Sequence, residues 1–199
     1  MTGPMQRHTF VVYVEDKPGV LNRVASLFRR RAFNIESLTV GHAETPKASR
    51  MTIVVRTDPI GARRLEANLY KLVNVLRVHD ITSVPAIFRE LAMIKVGATA
   101  DTRTHVMQLV DVFRARVVDV APDSVVIETT GTEEKIDGLL EVLRPYGIIE
   151  LVRTGRVGMM RGARSVMIDP EERQESFSPD LAAGPADAEA DDPNVSYSV

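Results

Sequence analysis

Apolar positions along the chain alternate between a strand period and a helix period, and the whole alternation occurs twice. Residues 8–15, rich in Val and aromatic side chains, predict a strand. Over 18–31, Val20, Val24, Leu27 and Phe28 recur at helical spacing, with Leu21 alongside. Pro18 would sit at the first helical position, where a missing N–H costs nothing. Two more strands are predicted at 34–43 and 50–56, joined by the turn-forming run "ETPKAS". Met51, Ile53 and Val55 share one face of the later strand. A second helix follows Asp58-Pro59, with Leu65, Leu69, Leu72 and Val73 as its buried stripe. A fourth strand is expected over 75–84, stopped by Pro85.

The order then repeats. A strand at 88–96 precedes a helix at 101–114, buried through Val106, Leu109, Val110 and Phe113. A hairpin at 117–120 and 125–129 turns on Pro122-Asp123. A helix at 132–144 carries Ile136, Leu139, Leu140 and Leu143 inside, and 148–153 make the last strand. The chain therefore reads β-α-β-β-α-β twice, an α+β arrangement of two ferredoxin-like units over 7–84 and 86–164. Each unit puts two helices on one sheet face, so the bare face and the edges must be covered or paired. A unit of this size buries a modest core, and pairing through sheet edges or helices is expected.

Composition adds a boundary. Residues 165–199 hold nine acidic and one basic side chain, a net of -8, with four prolines. Residues 1–164 carry a net of +6. A segment so acidic and so poor in apolar residues cannot offset its ordering entropy, so a disordered tail is expected. The chain has no cysteine, which excludes disulfides and thiolate metal sites and suits a reducing cytoplasm. No apolar run approaches the ~20 residues that span a bilayer, and no secretory core is seen near the first residues. A cytoplasmic protein without membrane contact is the expectation.

Catalytic constellations are hard to find. His8, His42, His79 and His105 lie at no metal-ligand spacing, and no nucleophile elbow, Walker loop or dinucleotide fingerprint is present. Glu133-Glu134 read as helix-dipole and capping residues. Arg29, Arg30 and Arg31 fall in a last helical turn, where cations complement the dipole. The strands "FVVYV" and "MTIVVR" lack the run of aromatics that single-stranded RNA requires, so no nucleic acid is expected.

What remains is the corner "VEDKPGV". Gly19 removes a side chain where a ligand could approach backbone N–H groups, and a helix N-terminus presents those groups to an anion. Asp16 could meet an ammonium group or cap the helix. An α-amino acid offers both charges on neighbouring atoms, and apolar Val20 and Leu21 lie close by. A capped helix that binds nothing accounts for the same residues.

Longer runs carry a resemblance. "EDKPGVLNRVASLFRRRAFNIESLTVG", "SRMTIVV", "KLVNVLRV", "FRARVVDV", "TGTEEKIDGLL" and "RTGRVGMMRG" fall between residues 15 and 162, and the likeness that they carry extends over about 7–164. They resemble the small regulatory subunits of acetolactate synthase, also called acetohydroxyacid synthase. The resemblance implies an N-terminal ACT domain, a C-terminal ferredoxin-like domain and no catalysis by this chain alone. The implied partner is a large catalytic subunit holding thiamine diphosphate, Mg²⁺ and FAD, with no cofactor in this chain. The implied role is activation of that subunit and feedback inhibition by valine in branched-chain amino acid synthesis. A stand-alone ACT-type amino-acid sensor for another enzyme is the alternative.

The resemblance further implies a homodimer through the ACT domains, with effector sites at their junction. Gly19 and Val20, next to Pro18 and Leu21, would offer backbone groups to the valine carboxylate. Asp16 would lie near its ammonium group. Asn34 would reach in from the partner subunit, with Ile35 and Leu38 on the apolar side. Two residues depart from the family pattern: Asp16 stands where relatives often have Asn, and Ala32 where Gly is common. Ala tolerates a left-handed bend only at some cost.

Overall fold

The computed structural model describes residues 3–162, so the expected tail at 165–199 lies outside the described residues. The first sheet has the order β2-β3-β1-β4, from β1 (Gln6–Glu15), β2 (Ile35–His42), β3 (Ala48–Thr57) and β4 (Val75–Asp80). All its pairings are antiparallel. Two helices cover one face, α1 (Val20–Arg30) and α2 (Pro59–Leu69). The pleat decides which residues meet them. Phe10, Val12 and Val14 of β1 and Met51, Ile53 and Val55 of β3 point one way, into a core closed by Val24, Leu27, Phe28, Leu65 and Leu69.

The second sheet has the order β6-β7-β5-β8, from β5 (Ala86–Gly97), β6 (Arg116–Val120), β7 (Ser124–Gly131) and β8 (Ile148–Arg153). Helices α3 (Arg103–Val112) and α4 (Glu133–Leu143) pack on it around Ile94, Val96, Val106, Ile127, Ile136 and Leu139. The α+β, twice-repeated ferredoxin-like reading therefore holds. The expected spans differ mainly at their ends: β5 runs two residues earlier, and β4 stops at Asp80 rather than Val84.

A fifth strand in this sheet, β9 (Val157–Met160), went unforeseen. Its four residues, with a glycine among them, show no alternation long enough to read. It pairs with the first half of β5 at Ala86–Arg89. That ribbon covers the bare face of the first sheet, where Val11, Tyr13 and Ile81 bury against Ala86, Phe88 and Met160. Arg50 reaches across from β3, donates to the Gly158 carbonyl and stacks its guanidinium over the Tyr13 ring. The need to cover one sheet face is thus met from within the chain.

Helix ends account for the remaining differences. α2 begins at Pro59 itself, and Asp58 caps it, its Oδ1 accepting from the Gly61 N–H at 2.6 Å. α2 ends at Leu69, however, and Val73 is 89% exposed rather than part of the buried stripe. At the end of α1, Arg31 is the C-cap and Ala32 takes a left-handed conformation with φ 56°. The N–H groups of Ala32 and Phe33 donate to the carbonyls of Arg29 and Phe28 at 3.1 and 3.0 Å. Those two bonds form a Schellman closure with a non-glycine residue at its left-handed position. The second unit repeats the device: Arg114 has φ 49°, and the N–H groups of Arg114 and Ala115 donate to Asp111 and Val110.

Candidate functional site

The corner before α1 is a tight turn. The Val20 N–H donates to the Lys17 carbonyl at 3.4 Å, and Gly19 sits at φ 84°, ψ -6°. Those angles belong to the third residue of a type II turn, which requires positive φ, with Pro18 ahead of it at the position proline favours. Pro18 therefore precedes the helix and does not occupy its first position as expected. A Cβ built on Gly19 would meet nothing within 4 Å. Glycine is needed here by the backbone, and the space in front of it is open.

Gly19 is the N-cap of α1 and no side chain caps the helix. The first intrahelical bond runs from the Arg23 N–H to the Gly19 carbonyl at 3.1 Å. Ahead of it, the N–H groups of Leu21 and Asn22 are first-turn donors with no intrahelical acceptor. The capping alternative for Asp16 is thereby overturned. Its carboxylate instead accepts from Ser49 Oγ at 3.1 Å and pairs with His42 Nδ1 at 3.4 Å. Its own N–H donates to the Lys47 carbonyl at 2.8 Å. Asp16 is thus turned toward the β2–β3 hairpin. The Val20 side chain is buried in the first core, as its helical spacing predicts, leaving only its backbone at the corner. Leu21 and Pro18 are exposed there.

Asn74 is a corner residue that sequence reasoning missed. It donates to Glu15 Oε2 at 2.6 Å and accepts from Arg23 Nη1 at 2.5 Å, while Glu15 pairs with Lys17 Nζ at 3.0 Å. This network ties the corner to the loop before β4. No local pattern announces a contact between residues 59 positions apart.

Asn34 lies beyond the other end of α1. It is exposed and precedes β2 rather than opening it, while Ile35 and Leu38 lie half-buried against the first core. The eleven residues of α1 separate Gly19 from Asn34 by roughly 16 Å of helix. One chain therefore does not bring the two groups together. β2 is an edge strand of its sheet.

A second concavity, of about 440 Å³, lies where β2 faces the second unit, between Arg7, Glu36, Glu133, Arg153 and Arg156. Arg7 Nη1 donates to both carboxylate oxygens of Glu133 at 2.7 Å, and its Nε pairs with Glu36 at 2.7 Å. Arg156 Nη2 reaches Glu133 at 2.9 Å. Arg153 holds the buried Glu90 through two parallel bonds of 2.8 Å and Asp137 through a third of 2.7 Å. The hydrogen bonds that Arg153 donates to Glu90 lead in holding its guanidinium above the usual range. Partial burial pushes the Glu133 carboxyl up, but bonds from Arg7 and Arg156 overcome it and leave the group below the usual carboxylate range. Glu133 thus does more than meet the α4 dipole. Gly155, with φ 78°, also lines this cleft, and a Cβ there would fall 2.0 Å from Ser37 Oγ. Beside it, Thr39 Oγ1 donates to the Thr154 carbonyl at 3.1 Å.

Among the described residues, no group of three or more His, Asp or Glu side chains could hold a metal ion. No described helix is long and apolar enough to cross a membrane. His8, on β1, is buried with its Nδ1 2.7 Å from Asp80 Oδ2.

Comparison with known proteins covers both units. Residues 10–77 match the family described as the AHAS small subunit-like ACT domain, and residues 89–162 the family described as the small subunit of acetolactate synthase. A probable acetolactate synthase small subunit of Methanothermobacter thermautotrophicus is 48% identical over 160 residues, covering 80% of this chain and 95% of the relative. The acetolactate synthase small subunit of Mycolicibacterium smegmatis is 48% identical over 166 residues, covering 83% and 98%. In three dimensions, the crystal structure of the acetolactate synthase small subunit from Thermotoga maritima superposes with a TM-score of 0.75 at 38% identity. That match covers 80% of this chain and 99% of the other. The match of both units to the family models, the shared three-dimensional arrangement and identities near one residue in two over nearly the whole length of the two curated relatives agree: this chain belongs to the acetolactate synthase small-subunit family.

Proposed function

We propose that the chain is the regulatory subunit of an acetolactate synthase, activating a large catalytic subunit and making it sensitive to valine. Thiamine diphosphate, Mg²⁺ and FAD are assigned to that large subunit. Residues 7–84 form the effector-binding ACT domain, and residues 86–164 form the second domain.

The observation that carries this reading is the division of the site. Exposed donors at the Gly19 corner and the exposed Asn34 amide are set at opposite ends of α1. A second copy meeting the first along the β2 edge would supply the missing half of each site. The carboxylate of valine would take the Leu21 and Asn22 N–H groups, where the helix dipole favours an anion. Its ammonium group would face Asp16, once that carboxylate turns from His42, and the Asn34 carbonyl of the partner. Pro18, Leu21 and Ile35 would enclose the isopropyl group. Valine then inhibits by binding one arrangement of the paired chains better than another.

Acetolactate formation by the large subunit, measured with and without this chain across a valine series, tests the proposal. Stimulation in the absence of valine and its loss as valine rises are expected. A rate indifferent to the chain would overturn it. Asn34→Ala should weaken valine about 10-fold or more in calorimetry, the usual cost of a hydrogen bond to a charged group. Unchanged affinity would remove Asn34 from the site.

A further inference from the structure

Polar ties join the first domain to the second, and one of them starts at the effector strand. Glu36 lies two residues beyond Asn34 and pairs with Arg7 Nε at 2.7 Å. The same guanidinium donates from Nη1 to both oxygens of Glu133, the first residue of α4 and 126 positions away. Glu133 also holds Arg156, whose guanidinium lies 5.1 Å from the Phe88 ring centre. Phe88 in turn packs under Val11 and Tyr13 of the first sheet. An unbroken set of charge-assisted contacts therefore joins the start of β2 to the N-terminus of α4 and back to the β5–β9 ribbon.

These contacts suit exchange between two arrangements. The Arg7 side chain is 46% exposed, and Glu36 and Glu133 are 25% and 27% exposed. Ion pairs so accessible to water contribute little net stability, so neighbouring water can take over either end of the guanidinium. The geometry is nonetheless directional, because a planar guanidinium with two carboxylate partners holds both in defined places. A shift of Glu36 must rotate the Arg7 plane or break one of its bonds.

Building on the valine-binding role above, we propose that Arg7 is the positioning residue that couples the effector strand to the second domain. A bound amino acid that draws Asn34 and Ile35 toward it moves Glu36, and Arg7 passes that movement to Glu133 and α4. The tie is one member of the domain contact, alongside Gly155–Ser37 and Thr39–Thr154. It links the strand carrying the effector residues to a helix terminus.

The test uses full-length chain reconstituted with its large subunit, with Arg7→Gln and Glu133→Gln as independent variants. Valine affinity of the small subunit alone, by calorimetry, should stay within about twofold of the unsubstituted chain. Stimulation of the large subunit without valine should also be retained. Inhibition at saturating valine should weaken, by a factor within the 5- to 150-fold range usual for allosteric coupling. Amide exchange in residues 132–140 should change on adding valine in the unsubstituted chain and stay constant in either variant. Inhibition and exchange responses matching the unsubstituted chain in both variants would overturn the coupling. So would a parallel loss of valine affinity, which would place Arg7 within the effector site. If the unsubstituted chain shows no binding of valine, the proposed function fails first, before any variant is compared.

Discussion

Ala32→Gly should stabilise the protein, although it removes a methyl group and adds freedom to the unfolded chain. Ala32 closes α1 in the left-handed region at φ 56°, with both Schellman bonds made. For a residue bearing a Cβ, that conformation costs about 1–2 kcal/mol through contact with the following carbonyl. Glycine escapes the cost but loses about 0.4–1 kcal/mol to the greater entropy of its unfolded chain. The Ala32 side chain is exposed and forfeits no packing. The balance is a gain on the order of 0.5–1 kcal/mol, about 1–4 °C in Tm for a folded part of this size. Thermal unfolding by circular dichroism at fixed protein concentration measures it, since pairing of chains would make Tm depend on concentration. Arg114→Gly, at the matching left-handed position of the second unit with φ 49°, should gain similarly, and the two changes should add. A lower Tm for Ala32→Gly would refute the reasoning, because it would mean that the left-handed residue is not strained at that position.

Further outcomes follow from other contacts. Gly155→Ala should destabilise the protein by about 2–4 kcal/mol, from positive φ plus overlap with Ser37 Oγ, and chemical denaturation would register the loss. Asp58→Ala should lower stability by about 1 kcal/mol by removing the cap on α2, read as a lower denaturation midpoint with unchanged slope. Glu133 has a folded-state pKa below its unfolded value, so its stabilisation is complete above the usual carboxylate range and is lost as pH falls through the folded value. The stability difference between the unsubstituted chain and Glu133→Gln should therefore shrink from pH 6 toward about pH 3, and a difference constant across that window would remove Glu133 from the acid response.

Helix and strand types were legible because the apolar residues keep strict local periods. Phe10, Val12 and Val14 alternate, and Val20, Val24, Leu27 and Phe28 recur by turns, so both their elements and their burial could be read. The type II turn at Pro18-Gly19 was half legible. The dipeptide marks a corner, but only the backbone angles show that glycine serves a positive φ and that proline stands outside the helix. The capping alternative for Asp16 fails because the partners of that carboxylate, Ser49 and His42, come from a hairpin more than 25 residues away. Val73 was misjudged because helical periodicity continued past a helix that stops at Leu69, and nothing in four residues signals the stop.

The order of residues by itself determined two β-α-β-β-α-β units, the face each element buries and the family to which the chain belongs. These depend on local period and on identity, which a linear string carries in full. Tertiary structure alone decided what lies across from what. It placed β9 and Phe88 on the bare face of the first sheet, Asn74 beside the corner, and Glu133 between Arg7 and Arg156. Such contacts join residues tens to more than a hundred positions apart, and the free energy that selects them arises only once the sheets have formed and brought their faces together.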